Sequence, residues 1–417
     1  MRRLLQSQSY PWIVITLSAF FLFYKYVLQV SPSVITHSLM RQYHLDGAGL
    51  GNLAATFFYS YLIAQLFVGP ILDKLGTRLL TALAILLCAI GAIGFAEAKN
   101  FTEAVVSRSL IGVGAAFATV SYLKIAAIWF KPERFALVSG LLATAAMVGS
   151  MCGQLPFALM VVHFGWQASI FYCGLFGVAL SVLFYIIVRE NNPSANFQAK
   201  NTELKFRDVL SVLKSAPNWY LMFYSGLAFS PLAVFAGLWG DSFLQIAYHV
   251  TKPGAAMLSS FSFLGLALGA PFFGYISDRT HSRFGLMLAG VLLSLLAILF
   301  AIYFPGISRT LEGVALFLFG FGTGAFMLVF VVGKEINSFA LTATVIAFIN
   351  TGEAIIGTFT EPLLGKLLDI FGHGKMRDGI YYFGPNDYHL SLILLPVYLL
   401  LALLFLLLAR KTIIKEA

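Results

Sequence analysis

The chain has 417 residues, of which 59% are hydrophobic, 15% aromatic and only 11% charged, and its formal net charge is +9. A soluble domain carries about a quarter charged residues, so this composition excludes an ordinary soluble fold and favours a chain that spans a membrane. The basic residues fall between apolar runs, which is typical of signals for membrane orientation and gives no indication of nucleic-acid binding.

The predicted elements begin with an apolar run that follows Arg2 and Arg3. This run is too long for a signal-peptide core and lacks a small-residue cleavage site, so it predicts a first spanning helix. Twelve runs are long enough to cross a bilayer, and they lie near 12–36, 47–71, 79–98, 102–128, 135–161, 167–188, 219–245, 254–277, 284–304, 310–332, 341–369 and 388–409. We therefore predict an all-α membrane protein whose parts are an N-terminal six-helix bundle at 1–190, a cytoplasmic linker at 191–217 and a C-terminal six-helix bundle at 218–417.

The first span contains a lysine at a depth from which its ammonium cannot easily reach either surface. A charge inside the membrane is costly and is a functional candidate by default, so Lys25 is predicted to bind solute. Its neighbour Tyr26, and Gln29 one turn further on the same face, are predicted to line the same cavity. A structural ion pair between Lys25 and a carboxylate is the alternative.

The three cysteines lie within apolar runs, at Cys88, Cys152 and Cys173, and their spacing predicts buried side chains without disulfides or metal. No nucleophile with a base, metal cluster or phosphate-binding loop is evident, so neither an enzyme nor a cofactor is expected.

The fourth span contributes a second charged candidate near its beginning. Arg108 could bind a substrate carboxylate, or it could hold a neighbouring helix through backbone carbonyls. Tyr122 lies further along the same span and is predicted to line the solute site. Lys124 is close enough to the cytoplasmic end for snorkelling to explain it.

The eleventh span has a polar stripe formed by Asn350, Glu353, Gly357 and Glu361. A carboxylate at mid-membrane can be neutralised by a proton, because burying its charge is costly. Glu353 is therefore predicted as the proton carrier, with Asn350 beside it in the solute site. An ion pair of Glu353 with Lys25 or Arg108 is the alternative, and Glu361 precedes a proline, so a proton-coupling role and a local kink are both open for it.

The candidate charges predict the class of solute. The N-terminal half supplies cations and the C-terminal half supplies carboxylates, so a zwitterion such as an amino acid or a short peptide fits best. An anionic solute would fit only the basic half.

A loop with the same pattern of glycine, acid and bases follows the second and the eighth spans. The two copies consist of Gly69, Asp73, Lys74 and Arg78, and of Gly274, Asp278, Arg279 and Arg283. They lie about half a chain length apart, which indicates duplicated halves. We expect the glycines to permit close helix approach and the charges to gate the cytoplasmic side.

This loop resembles the signature of the major facilitator superfamily, and so does the stretch from Arg108 to Gly114 in the fourth span. The resemblance implies two six-helix bundles with a solute site between them that opens to one side at a time. It also links Arg108 to proton coupling. The stretch from Tyr24 to Val34 is similar to the first-helix signature of a bacterial group that includes phagosomal transporters of amino acids and nucleosides.

These features predict a monomeric secondary transporter that takes up a small polar or zwitterionic metabolite together with protons by alternating access. Its expected partners are that solute, protons and the lipid bilayer. Most lysines and arginines fall in segments that would be cytoplasmic if both termini were inside, which favours a bacterial inner-membrane protein with that orientation. Two alternatives remain. One is a proton-driven exporter of drugs, siderophores or organic anions. It is disfavoured because the fifth span, from Gly149 to Pro156, only partly matches the antiporter motif of the superfamily. The other is a membrane receptor with the same fold.

Overall fold

The computed structural model describes residues 9–130, 132–189, 211–304, 308–338, 341–377 and 379–416. Within these ranges the chain is almost wholly helical, and one short hairpin pairs Met376 with Tyr381 and Arg377 with Ile380. The predicted linker, 191–217, lies largely outside the described residues.

The helices before the linker are α1 to α9. Their bounds are Tyr10–Val30, Thr36–Tyr43, Gly47–Leu75, Thr77–Glu97, Phe101–Ala115, Phe117–Trp129, Pro132–Cys152, Leu155–Phe164 and Trp166–Ile187. The helices after it are α10 to α18. Their bounds are Ala216–Val234, Gly240–Ala247, Lys252–Thr280, Arg283–Tyr303, Arg309–Thr323, Leu328–Glu335, Thr342–Gly372, Pro385–Leu392 and Leu394–Glu416. The hairpin strands, β1 Met376–Arg377 and β2 Ile380–Tyr381, lie between α16 and α17.

Eleven helical segments of the described chain are long and apolar enough to cross a membrane. The remaining long helix is α16, whose 31 residues exceed the roughly 20 that a span requires. It contains Glu353, Glu361, Lys366 and Asp369, so it is the most highly charged of the predicted spans. Together these segments agree with an all-α multi-pass membrane fold.

Four spans are interrupted at matching places in the two halves of the sequence. The first and seventh change to short non-α turns, the 3₁₀ turn Ser31–Ile35 and the π turn Phe235–Trp239. The fourth breaks at Ala116, between α5 and α6, and the tenth changes to the 3₁₀ turn Gly324–Met327. A proline explains the first break, because Pro32 has no N–H to continue the α-helical ladder.

Glycines in the fourth and tenth spans pack in parallel ways. A side chain at Gly112 would collide with the backbone of Phe57 in α3, and one at Gly320 with the backbone of Ser262 in α12. Small residues let helix backbones approach closely in membranes. The fourth span therefore packs against the second, and the tenth against the eighth, through a glycine in each case.

The chain forms two compact units. Unit 1 comprises the described parts of Met1–His44 and Asn52–Ala199, and unit 2 comprises those of Leu45–Gly51 and Lys200–Ala417. The first turn of α3 therefore groups with unit 2. There the Asp369 carboxylate accepts hydrogen bonds from the backbone N–H groups of Gly47 (2.7 Å) and Ala48 (2.8 Å), which satisfies donors that a helix N-terminus leaves open.

Candidate functional site

Lys25 is buried in unit 1, with 5% of its surface exposed. Its Nζ lies over two tyrosine rings, 4.2 Å from the centroid of Tyr26 and 4.9 Å from that of Tyr61. Among the described residues the ammonium makes no hydrogen bond and no ion pair. Cation–π contacts hold a cation weakly and leave its three N–H donors open. The arrangement is therefore suited to receive an anion.

Arg108 is also buried, but its donors are directed at backbone carbonyls. Its Nη1 donates to the Leu28 oxygen at 2.9 Å, and its Nη2 donates to the Ala54 oxygen at 3.4 Å. The Leu28 carbonyl is the one that Pro32 would have bonded in a regular helix, so the proline frees it. The hydroxyl of Ser31 bonds the same oxygen. The geometry matches the role of holding neighbouring helices at the break.

The other predicted residues of unit 1 have mixed surroundings. Tyr122 is fully buried, and its hydroxyl donates to the Val138 carbonyl at 2.8 Å. Gln29 is half-buried on the face that follows Lys25. Lys124 does more than snorkel, since its Nζ donates to the Leu72 carbonyl near the end of α3 at 2.8 Å.

Glu353 lies in unit 2 where α16 packs closely against α10. Its Oε1 accepts a hydrogen bond from the Ser225 hydroxyl at 2.9 Å. Gly226 and Gly352 flank this contact, and a side chain at Gly226 would collide with the Gly352 carbonyl. The donor to the carboxylate is therefore a neutral hydroxyl on the neighbouring helix.

The other polar side chains of the predicted stripe on α16 differ in their exposure. Asn350 is exposed, whereas Glu361 is buried. The backbone oxygen of Glu361 accepts from the indole N–H of Trp239 at 3.3 Å, which ties α16 to the π turn of the seventh span.

The second copy of the signature loop forms a charge cluster in unit 2. Arg283 donates to the Asp278 carboxylate at 2.8 Å and also contacts Glu335, at the end of α15, at 3.2 Å. The guanidinium of Arg279 lies 4.6 Å from the ring centroid of Tyr275. The cluster therefore ties the loop between α12 and α13 to the end of the tenth span.

The first copy is arranged differently. The side chain of Asp73 lies outside the described residues. Lys74 is exposed, and Arg78 donates through Nε to the Tyr185 carbonyl at 2.8 Å. A side chain at Gly69 or at Gly274 would meet no atom of the described chain within 4 Å, so among the described residues no close helix approach is formed at these glycines.

Sequence reasoning missed two buried carboxylates in unit 2. Asp241 in α11 accepts from the Ser259 hydroxyl at 2.5 Å, and Glu312 in α14 accepts from the Tyr248 hydroxyl at 2.7 Å. Both are 1% exposed. Both also fall inside predicted spans, so their charge at membrane depth was a signal that could have identified them.

Comparison with known proteins agrees with this fold. A family model described as Major Facilitator Superfamily matches residues 12–360. The chain is 24% identical to "Probable L-galactonate transporter" of Escherichia coli (strain K12), in a match that covers 82% of this chain and 80% of that protein. It is 25% identical to "Gallate transporter" of Pseudomonas putida, over 46% of this chain and 42% of that protein, which is less than half the relative's length.

Two solved structures have the same fold. One is a bacterial homologue of the human lysosomal transporter Spinster in an inward-facing, unoccupied conformation, with a TM-score of 0.84, 17% identity and coverage of 98% of this chain and 99% of that one. The other is the nucleoside transporter NupG, with a TM-score of 0.74, 14% identity and coverage of 95% and 99%.

Proposed function

Because the chain belongs to the Major Facilitator Superfamily, we propose that it takes up a small carboxylate-bearing solute together with protons. As a member of that family it is a multi-pass membrane transporter of small solutes, and it is not an enzyme. The solute and the coupling ion are the parts that we propose here.

The buried ammonium of Lys25 carries this proposal. A lysine at membrane depth costs several kcal/mol unless a partner compensates it, and the described partners of Lys25 are two aromatic rings. A solute carboxylate would supply the missing charge and accept the open N–H donors. Arg108 is a poorer candidate, because backbone carbonyls already accept from its guanidinium.

The relatives favour an organic acid anion as the solute. The names of similar proteins include transporters of L-galactonate, gallate and 4-hydroxybenzoate, all of which are acids without an ammonium group. A zwitterion has the same carboxylate, so an amino acid is the second candidate. The carboxylate of Glu353 favours it, since an ammonium group could bind there.

We assign proton coupling to Glu353. Its donor is the neutral hydroxyl of Ser225, so taking up a proton breaks no ion pair among the described residues. We also propose an inner-membrane location, cytoplasmic termini, and duplicated halves at 1–190 and 218–417, from the distribution of basic residues and the repeated loop.

Uptake into proteoliposomes tests this proposal. Purified protein would be reconstituted with an imposed inward proton gradient and given labelled L-galactonate, 4-hydroxybenzoate, gallate or alanine in turn. We expect accumulation of at least one acid and its collapse when a protonophore removes the gradient. Lys25→Met should reduce that uptake roughly tenfold or more, because a charge-assisted contact is lost.

A matched lysine serves as the control. Lys252→Met removes an ammonium at the beginning of α12 and should leave uptake near that of the parent protein. Accumulation that is independent of the gradient would refute proton coupling. Undiminished uptake by Lys25→Met would refute the assignment of the carboxylate to Lys25.

A further inference from the structure

One buried carboxylate of unit 2, that of Glu312, has no part in the proposed function. Glu312 lies near the beginning of α14, inside the tenth span, and it is 1% exposed. Its Oε2 atom accepts a hydrogen bond from the Tyr248 hydroxyl at 2.7 Å, whereas its buried Oε1 atom has no hydrogen-bond partner among the described residues. No described lysine or arginine forms an ion pair with it. A single neutral donor does not balance a charge at this depth, whereas a bound proton removes the charge altogether.

The Tyr248 hydroxyl can adjust to a proton on Glu312 without losing a hydrogen bond. It lies 2.7 Å from Oε2 of Glu312 and 3.5 Å from the carbonyl oxygen of Ala301 in α13. A hydroxyl has one proton to donate and two lone pairs with which to accept. It donates to Glu312 when the carboxylate is ionised, and it accepts from Glu312 and donates to Ala301 when the carboxyl group is protonated. The pair can therefore gain or lose one proton when only the hydroxyl hydrogen turns.

The elements around Glu312 give its carboxyl group no other partner. α14 packs against α12 and α13, and a side chain at Gly313 would meet Leu258 and Phe261 of α12. The titratable groups that α11, α12, α13 and α14 carry on this part of unit 2, or directly beyond their ends, are those of Asp241, Tyr248, His249, Lys252, Tyr303 and Arg309. Among the described residues, Tyr248 alone bonds to the side chain of Glu312. The charge at this position therefore depends on the proton of Glu312 itself.

We propose that Glu312 and Tyr248 form a second proton-binding site, distinct from Glu353, whose occupancy gives solute exchange a pH dependence of its own. This inference rests on the proposed function, because it concerns a transporter that Glu353 couples to protons. The orientation proposed for the chain places the beginning of α14 towards the outside, so the outer solution supplies the proton. A hydronium ion gives up one O–H bond and becomes water, while Glu312 gains an O–H bond and loses its charge. Ionisation returns an uncompensated charge beside α12 and α13, which opposes their packing.

Infrared difference spectroscopy of the whole protein in proteoliposomes tests whether this site binds a proton. Spectra recorded in H₂O and D₂O between roughly pH 5 and 9, where ordinary carboxylates are ionised, report the C=O stretch of protonated carboxyl groups. We expect Glu312→Gln to lose one such band and Glu353→Gln to lose a different one. Tyr248→Phe should keep the Glu312 band but shift it to higher wavenumber, because the carboxyl group loses its hydrogen bond to the hydroxyl.

The control for the spectra is Glu97→Gln, which removes an exposed carboxylate and should leave both bands in place. A spectrum of Glu312→Gln that is identical to that of the parent protein would overturn the second site. A band that does not shift in Tyr248→Phe would overturn the pairing with Tyr248.

Counterflow exchange tests what the site does in transport, with 4-hydroxybenzoate or L-galactonate as the probe and the same pH on both sides of the membrane. In Glu353→Gln, exchange should persist and should still change with pH. Adding Glu312→Gln to that variant should abolish the remaining pH dependence, whereas adding Glu97→Gln should not. A double variant of Glu353 and Glu312 that keeps the pH dependence would overturn the second site while coupling through Glu353 stood. Gradient-driven accumulation by Glu353→Gln would instead overturn the coupling assignment, and loss of the Glu312 band would still support the second site.

Discussion

The two units bury charges of opposite sign and satisfy them in different ways. In unit 1 the cation Arg108 donates to backbone carbonyls, whereas Lys25 makes cation–π contacts and no hydrogen bond to any of the described residues. In unit 2, the buried Asp241 and Glu312 and the half-buried Glu353 each accept a hydrogen bond from a hydroxyl that lies outside their own helix. Burial alone therefore does not distinguish a structural charge from a functional one, and the identity of the partner does.

The partners set what each charge can do. A guanidinium that is hydrogen-bonded to carbonyls has a structural role, because moving it would leave those carbonyls and its own donors without partners. A carboxylate bonded to a hydroxyl can gain a proton without separating an ion pair. Lys25 makes neither kind of hydrogen bond with the described residues, so its ammonium can bind a ligand.

The largest expected effect concerns the carboxylate that we assign to coupling. Glu353→Gln keeps the shape and the contact with Ser225 but cannot exchange a proton. We expect gradient-driven accumulation to be abolished while counterflow exchange of the same acid persists, with both measured in proteoliposomes. Accumulation that survives with an unchanged pH profile would remove Glu353 from the mechanism.

An exposed glutamate of unit 1 provides the control for this substitution. Glu97→Gln, at the last residue of α4, alters a carboxylate that has no assigned role. We expect both accumulation and exchange to stay near the parent values. A loss in both variants would indicate a general sensitivity to charge and would weaken the contrast between the units.

An intermediate effect is expected for the cation of unit 1 that serves the fold. Arg108→Met removes the hydrogen bonds to the Leu28 and Ala54 carbonyls and should reduce the free energy of unfolding by about 3 kcal/mol. The apparent melting temperature in detergent would report the loss. Lys25→Met should melt at or above the parent temperature, because it removes a buried charge that forms no ion pair with a described residue. Equal destabilisation by the two substitutions would contradict the assignment of a structural role to Arg108 and a binding role to Lys25.

The sequence predicted the spans well because their signal is local. Ten of the twelve apolar runs match observed helical segments within a few residues at both ends, since backbone hydrogen bonding and lipid length leave few alternatives. The first and last runs were predicted too short, because the observed helices continue to Tyr43 and to Glu416. The position of Lys25 could be predicted for the same reason. Its tyrosine partner Tyr61 could not, because that contact depends on how α3 packs against α1.

Partners across helices account for what the sequence did not predict. The hydrogen bond of Arg108 to Leu28 requires both the fold and the carbonyl that Pro32 frees. The expected close approach at Gly69 and Gly274 assumed neighbouring helices, and no described residue lies within 4 Å of a side chain at either position. In each case the residue type was informative, but its neighbour was set by tertiary packing.

The smallest expected effects separate the two copies of the signature loop. In unit 2, Arg283 pairs with Glu335 and Asp278, whose side chains are 50% and 77% exposed. Exposed ion pairs contribute about 0–1 kcal/mol and are screened by salt. Glu335→Gln should therefore lower the melting temperature slightly at low salt and not at all at high salt.

In unit 1, Lys124 stabilises the end of α3 beside the first copy of the signature loop. Its ammonium is half-buried and donates to the carbonyl of Leu72. A hydrogen bond from a charged donor contributes about 1.5–3 kcal/mol where water is scarce. Lys124→Met should therefore destabilise the protein more than Glu335→Gln, and by the same amount at both salt concentrations. Salt screens a charge strongly only where water reaches it. If salt reduced the loss of stability in Lys124→Met as much as that in Glu335→Gln, the two loops would be stabilised by equally exposed charges, and the contrast between them would fail.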